Sequence, residues 1–171
     1  LDAGAMGIIF PMVNTREQAQ AAVSACRYAP QGSRSMGPIG AMTLHGGDYF
    51  AKANEEVMVI PMIETAEAVG NLDDILSVEG VDTIYVGPSD LSLTLGLPPG
   101  MDSEDPKFTD AISTIIDGCA RHGVVPGIHC SPELAGKRHE QGFRMLSVGY
   151  DFGPVMAALR ADLKTSRAAT Q

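Results

Sequence analysis

The chain alternates short apolar runs with longer amphipathic ones. GIIFPMV (7–13), VMVIPMI (57–63), DTIYVG (82–87), VVPGIHC (124–130) and FRMLSVG (143–149) are mostly apolar rather than alternating, as strands covered on both faces are. Between them the periodicity is helical. NTREQAQAAVSACRY (14–28) predicts a helix with Asn14 or Thr15 as N-cap. Residues 29–47, rich in Gly, Pro and Ser, read as a long loop before a short helical stretch, DYFAKANEE. A helix over about 65–78 follows the second strand, and a helical turn at SDLSLTLG follows the third. Residues 105–123 carry Ile112, Ile115, Ile116 and Cys119 at helical spacing and stop at Gly123, a C-cap residue. SPELAGKRHEQG (131–142) has a Ser N-cap, Pro at the first helical position and a terminal Gly, and a last helix covers about 152–167.

Five strands with a helix after each predict an α/β fold, a parallel sheet covered by helices. No GxGxxG follows the first strand, so a dinucleotide-binding fold lacks its fingerprint. A (β/α)8 TIM barrel takes about 250 residues. Five βα units in 171 residues read as its C-terminal portion, the fourth to eighth of the eight units, in one domain spanning 1–171. The opening LDAGAMGIIF has no initiator Met and no signal-peptide n-region, and Leu1–Ala5 read as the tail of a helix entering a strand. The expectation is a natural protein that begins upstream, with the N-terminal βα units outside this chain.

Charge and composition narrow the partners. A net charge of −9 argues against nucleic acid, which wants clustered Lys and Arg. No apolar run approaches the roughly 18–20 residues of a membrane span. Cys26, Cys119 and Cys130 are odd in number and follow no metal spacing, which reads as reduced thiols in a cytoplasmic protein.

Two of the apolar runs end abruptly in an acid, Glu64 and Asp90, 26 residues apart. In a (β/α)8 barrel, chemistry sits at the C-terminal ends of the strands. On consecutive strands these carboxylates come close together, and two oxygen donors with open positions suit Mg²⁺ or Mn²⁺. Such an ion acts as a Lewis acid on a keto oxygen. The plainer reading is that each acid caps the helix that follows it. Gly87-Pro88-Ser89-Asp90 adds a second element: Gly87 permits close backbone approach, and the amides of Ser89 and Asp90 start a helical turn where a substrate carboxylate would be held. An ordinary Pro-Ser turn accounts for the same residues.

The combination of PMIETAEA, GPSDLS and LDAGA…IIFPMV resembles the HpcH/HpaI-type, metal-dependent (class II) pyruvate aldolases, which include 4-hydroxy-2-oxoheptanedioate and 2-keto-3-deoxy-glucarate aldolases. The resemblance runs from Leu1 through SVGYD and implies a (β/α)8 barrel of the phosphoenolpyruvate/pyruvate type. It implies aldol cleavage or condensation of 2-keto-hydroxy acids, pyruvate plus an aldehyde, through a pyruvate enolate on a divalent ion (Mg²⁺, Mn²⁺ or Co²⁺). Glu64 and Asp90 match the family's metal ligands, and Ser89 and Asp90 its amides facing the pyruvate carboxylate, beside Gly87. Asp2 matches a family Asp that supports the catalytic His. That His, and the family's substrate-positioning Arg in a V-R-P strand, lie off this chain. Met62 stands where many members carry Gln, replacing a hydrogen-bonding side chain by a thioether that cannot donate. The resemblance also implies homo-oligomers, hexamers or trimers of dimers that exchange C-terminal helices; Val155, Met156, Leu159 and Leu163 would serve that purpose or pack on their own barrel. Alternatives on the same scaffold are an oxaloacetate decarboxylase, an acyl-CoA lyase (for which no basic cluster is seen) or a non-catalytic truncated fragment.

His129 ends the fourth strand and faces the same mouth, as a contact to the aldehyde, a proton relay, or a neutral residue of a polar rim. His45 reads as exposed or at a subunit contact, while His122 and His139 need no function. Arg34, in the 29–47 loop beside the mouth, reads as solvent-exposed, with reach to a substrate carboxylate as the sharper possibility. Asp151 most simply caps the last helix. Cys130 and His129 point to opposite faces of a strand and so make no nucleophile pair. Met12, Met58, Met62 and Met145 are expected mostly to fill core, and Asp73, Asp74, Glu79 and Asp82 to form a solvated surface.

Overall fold

The computed structural model describes residues 1–170. Five strands, β1 (Gly7–Phe10), β2 (Met58–Ile63), β3 (Thr83–Val86), β4 (Val125–His129) and β5 (Met145–Ser147), form one parallel sheet in the order β1-β2-β3-β4-β5. The helices are α1 (Arg16–Cys26), α2 (Ile39–His45), α3 (Tyr49–Glu56), α4 (Ala66–Gly70), α5 (Leu72–Leu76), α6 (Pro88–Thr94), α7 (Pro106–His122), α8 (Ala135–Gln141) and α9 (Phe152–Ala169). Each strand leads into helices that return the chain to the next parallel strand, so the sheet curls into part of a barrel wall.

The two faces of the sheet differ sharply. Val59, Ile63, Ile84, Val86 and Ile128 are fully buried on the outer face, under the helices. Residues on the other phase of the strands point inward, and Ile9, Met58 and Val125 are 42%, 46% and 41% exposed there. The inner face is thus open at these positions, while Ile60, Tyr85 and Glu64 on the same face are buried. This corrects the expectation that Met58 and Met12 fill core: both are about half exposed, Met12 at 51%.

Local chemistry explains most element ends. Thr15 caps α1 in a capping box with Gln18. Asp105 accepts from the Lys107 amide at the start of α7, Pro106 occupies its first turn, and Gly123 closes it in the left-handed conformation at φ 69°. α7 buries Phe108, Ile112, Ile115 and Cys119 against the sheet and against α5, each apolar side chain worth about 1.5–3 kcal/mol of transfer free energy.

Four expectations are corrected. The helix expected over 65–78 is broken at Asn71, whose side-chain amide donates to the Asn14 carbonyl and ties the break to the segment after β1. The first strand ends at Phe10 rather than Val13, because Met12 turns to φ 57° and aims its amide at Glu64. Residues 29–47 are not a structureless loop beside the mouth. They contain α2 and follow the C-terminal end of α1, where Arg27 donates to the Val57 carbonyl at the start of β2, the edge opposite the strand C-termini. Arg34 is not solvent-exposed: its side chain is 6% exposed, stacked on the Tyr28 ring at 4.5 Å, bonded to the Tyr49 hydroxyl and paired with Asp2 at 2.7 Å. Asp73, although exposed, is paired with both Arg121 and His122.

No helix is long and apolar enough to cross a membrane among the described residues. Cys26, Cys119 and Cys130 are buried free thiols, and burial pushes Cys119 up to about 12.

Candidate active site at the strand C-termini

The sheet register lines up the residues that end β2, β3, β4 and β5. Ile63 is opposite Val86, Val86 opposite Ile128, and His129 opposite Ser147. One step further along the first two pairs, Glu64, Gly87, His129 and Ser147 form a single transverse row on the inner face. The row beneath is Met62, Tyr85, Gly127 and Met145. Neighbouring strands lie roughly 4.8 Å apart, so the Glu64 and His129 backbones are roughly 10 Å apart with Gly87 between them.

Glu64 is the best-held member. It is 3% exposed, and the backbone N–H of Met12 donates to its Oε1 at 2.8 Å. Its other oxygen leans over Gly87, where an added Cβ would lie 2.3 Å from Oε2 and 2.9 Å from the Met62 Cε. A glycine is thus required for close approach, not for backbone freedom, since φ at Gly87 is −95°. Burial pushes the Glu64 carboxyl up, the Met12 amide works against that, and the charge of Asp90 raises it further. The last effect is the repulsion expected between two like charges. Neither carries an ion pair with Lys, Arg or His among the described residues.

Asp90 lies in the first turn of α6 and is exposed, as is Ser89. Pro88 opens α6 after Gly87, so the N–H groups of Ser89 and Asp90 have no partner within the helix and face solvent at its start. Two carboxylates with uncommitted oxygens, one buried and charge-strained, fit a divalent cation. No group of three or more His, Cys, Asp and Glu is gathered among the described residues, so a bound ion would complete its shell with water and substrate oxygens.

The structure therefore brings Glu64, Met62, Gly87, Ser89 and Asp90 together and sets His129 two strands from Glu64. It does not bring Asp2 there. Asp2 precedes β1 at the opposite edge of the sheet, where it pairs with Arg34, and its carbonyl accepts from the Ala41 amide. His45 is also at that edge, donating to the Gly4 carbonyl at 2.8 Å. Ser147 and Tyr85 went unnoticed in the sequence; a hydroxyl ending an apolar run (Ser147) is the one local signal that marks either.

A partial (β/α)8 barrel with paired carboxylates at the C-terminal ends of adjacent strands defines the class of protein. Residues 1–158 match the HpcH/HpaI aldolase/citrate lyase family, and the chain belongs to it. It is 42% identical over 169 residues to a hydroxypyruvate/pyruvate aldolase of Rhizorhabdus wittichii, covering 98% of this chain and 67% of that protein. It is 35% identical over 161 residues to a 5-keto-4-deoxy-D-glucarate aldolase of Escherichia coli, covering 92% of this chain and 62% of that one. A solved HpcH/HpaI aldolase/citrate lyase family protein from Burkholderia cenocepacia superposes with a TM-score of 0.82 at 31% identity, over 97% of this chain and 66% of the other. The chain spans about two thirds of the length of these relatives.

Proposed function

We propose that the protein is a metal-dependent carbon–carbon lyase that interconverts a 2-keto-hydroxy acid with pyruvate and an aldehyde. The observation that carries this is the pair formed by buried Glu64 and exposed Asp90 across Gly87, with no cation of the protein between them. Glu64 and Asp90 would hold a divalent ion such as Mg²⁺, Mn²⁺ or Co²⁺, which supplies Lewis-acid polarisation of the keto oxygen. The rest falls to the chain's own groups. The Ser89 and Asp90 amides, at the positive end of a helical turn, orient the pyruvate carboxylate. The Met12 amide donates to Glu64, and Met62 and Tyr85 form the row beneath it. Relatives named as aldolases for hydroxypyruvate or pyruvate and for 5-keto-4-deoxy-D-glucarate support the reaction class.

Asp2 is left out of the proposed substrate contacts, because it precedes β1 and pairs with Arg34. Self-association is part of the proposal: Val155, Leu159 and Leu163 are half-exposed along one stripe of α9, which buries none of its residues. The enzymatic reading is tested by pyruvate release from a 4-hydroxy-2-keto acid with Mn²⁺. Release abolished by chelator and by Glu64→Ala supports it; undiminished turnover in the variant, indifferent to chelator, refutes it.

A further inference from the structure

The far end of the row is as well organised as the Glu64 end. His129 is half-buried, with Nδ1 3.3 Å from the Ser147 Oγ on the next strand. Tyr85, one row below and buried, stands opposite Gly127, so no side chain of β4 blocks its ring from leaning toward β5. Burial raises the Tyr85 phenol, and the neighbouring Ser147 hydroxyl works against that rise. Gly127 cannot be filled: an added Cβ would lie 2.7 Å from the Ile84 carbonyl and 3.2 Å from the Met145 Cβ. Tyr85, Ser147 and His129 therefore line up across three strands, and their arrangement fixes the imidazole through Nδ1. Nε2 has no protein partner among the described residues. Tyr150 stands beside the ring, centroids 6.3 Å apart.

Gly87 puts no side chain of its own between β2 and His129, and the Glu64 carboxylate and Met62 Cε reach into that space. A keto acid held at Glu64 and Asp90 would extend its remaining carbons past the Glu64 carboxylate toward β4, the next strand but one in the row. The surrounding inner-face residues, Met62 and Met145, offer no hydrogen bonds to an oxygen arriving there beyond a weak acceptor. An imidazole with one nitrogen committed presents a single donor or acceptor at the other. A hydroxyl matches either form, because it donates and accepts.

We propose that His129, positioned by Ser147 and Tyr85, is a specificity-determining residue that hydrogen-bonds through Nε2 to a hydroxyl on the aldehyde-derived half of the substrate, so that the site takes hydroxyaldehydes in preference to unsubstituted ones. This rests on the aldolase reading above. Glycolaldehyde and propionaldehyde test it, because they match in heavy-atom count and differ by a hydroxyl in place of a methyl. Each is condensed with pyruvate in the presence of Mn²⁺, and the ratio of the two kcat/KM values is compared between variants. In His129→Leu the ratio falls about tenfold, the worth of one hydrogen bond, through a higher KM for glycolaldehyde. His129→Gln restores part of it. Ser147→Ala, which removes the restraint and keeps the imidazole, lowers the ratio about threefold, and it carries the test if His129→Leu fails to fold. A ratio unchanged in folded His129→Leu, or in Ser147→Ala where the first variant is unfolded, overturns the proposal while leaving the aldolase reading intact. A wild-type protein that condenses neither aldehyde refutes the aldolase reading, and this assignment falls with it.

Discussion

Gly87→Ala isolates the role of close approach at the site. The backbone at Gly87 has φ −95°, which alanine adopts freely, so any effect comes from the added methyl. That methyl would lie 2.3 Å from Glu64 Oε2, 3.1 Å from Glu64 Cβ and 2.9 Å from the Met62 Cε. The methionine tip can swing away, but the carboxylate cannot retreat alone. Reaching an ordinary contact of roughly 3.5 Å requires a shift of about 1 Å, and the same rigid group carries Oε1, which accepts from the Met12 amide. A hydrogen bond to a charged acceptor is worth about 1.5–3 kcal/mol, and overpacking costs about 1–3 kcal/mol. The expected result is a loss of about 2 kcal/mol in urea-unfolding free energy with chelator present, and at least a tenfold loss of Mn²⁺ affinity by calorimetry, about 1.4 kcal/mol. Gly123→Ala is the control: it has open space around its Cβ but φ +69°, so it should cost about 1 kcal/mol through backbone strain and leave Mn²⁺ affinity unchanged. Mn²⁺ binding by Gly87→Ala within twofold of wild type would refute the reasoning.

Other perturbations follow from the same structure. Glu64→Gln should stabilise the metal-free protein at neutral pH, because burial raises the Glu64 carboxyl in the folded state and folding therefore favours its protonated form. The advantage should be complete above the raised folded value and fade as pH falls toward the ordinary 4.5; urea titrations in chelator that show a constant gap would contradict it. Arg138 is 1% exposed, paired with Asp102 at 3.0 Å and bonded to the Met101 carbonyl and Gln141, so Arg138→Met should cost about 3 kcal/mol in the same assay, with a loss under 1 kcal/mol counting against it. Ile115→Ala, at a fully buried position of α7, should cost about 3–4 kcal/mol by chemical denaturation without altering Mn²⁺ affinity.

The helix spanning Pro106–His122 was legible from its apolar stripe and its terminal glycine, both signals within a few positions of the element they shape. The break at Asn71 was not legible: the 65–78 segment keeps a helical pattern, and what interrupts it is a bond to Asn14, 57 residues away. Arg34 was misread for the same reason. A lone Arg in a Gly-rich stretch looks solvated until Tyr28, Tyr49 and Asp2 are seen around it.

By itself the sequence determined the order of strands and helices, the parallel sheet, and the two acids that end apolar runs, because periodicity and caps act over a few residues. The tertiary structure decided the rest. It decided which side chains share a row across four strands, that Gly87 is empty so that Glu64 can lean over it, and that Ser147 and Tyr85 stand behind His129. It also decided that Asp2 pairs with Arg34 at the far edge. Register and burial are set by contacts between residues tens of positions apart, and no local pattern encodes where those partners meet.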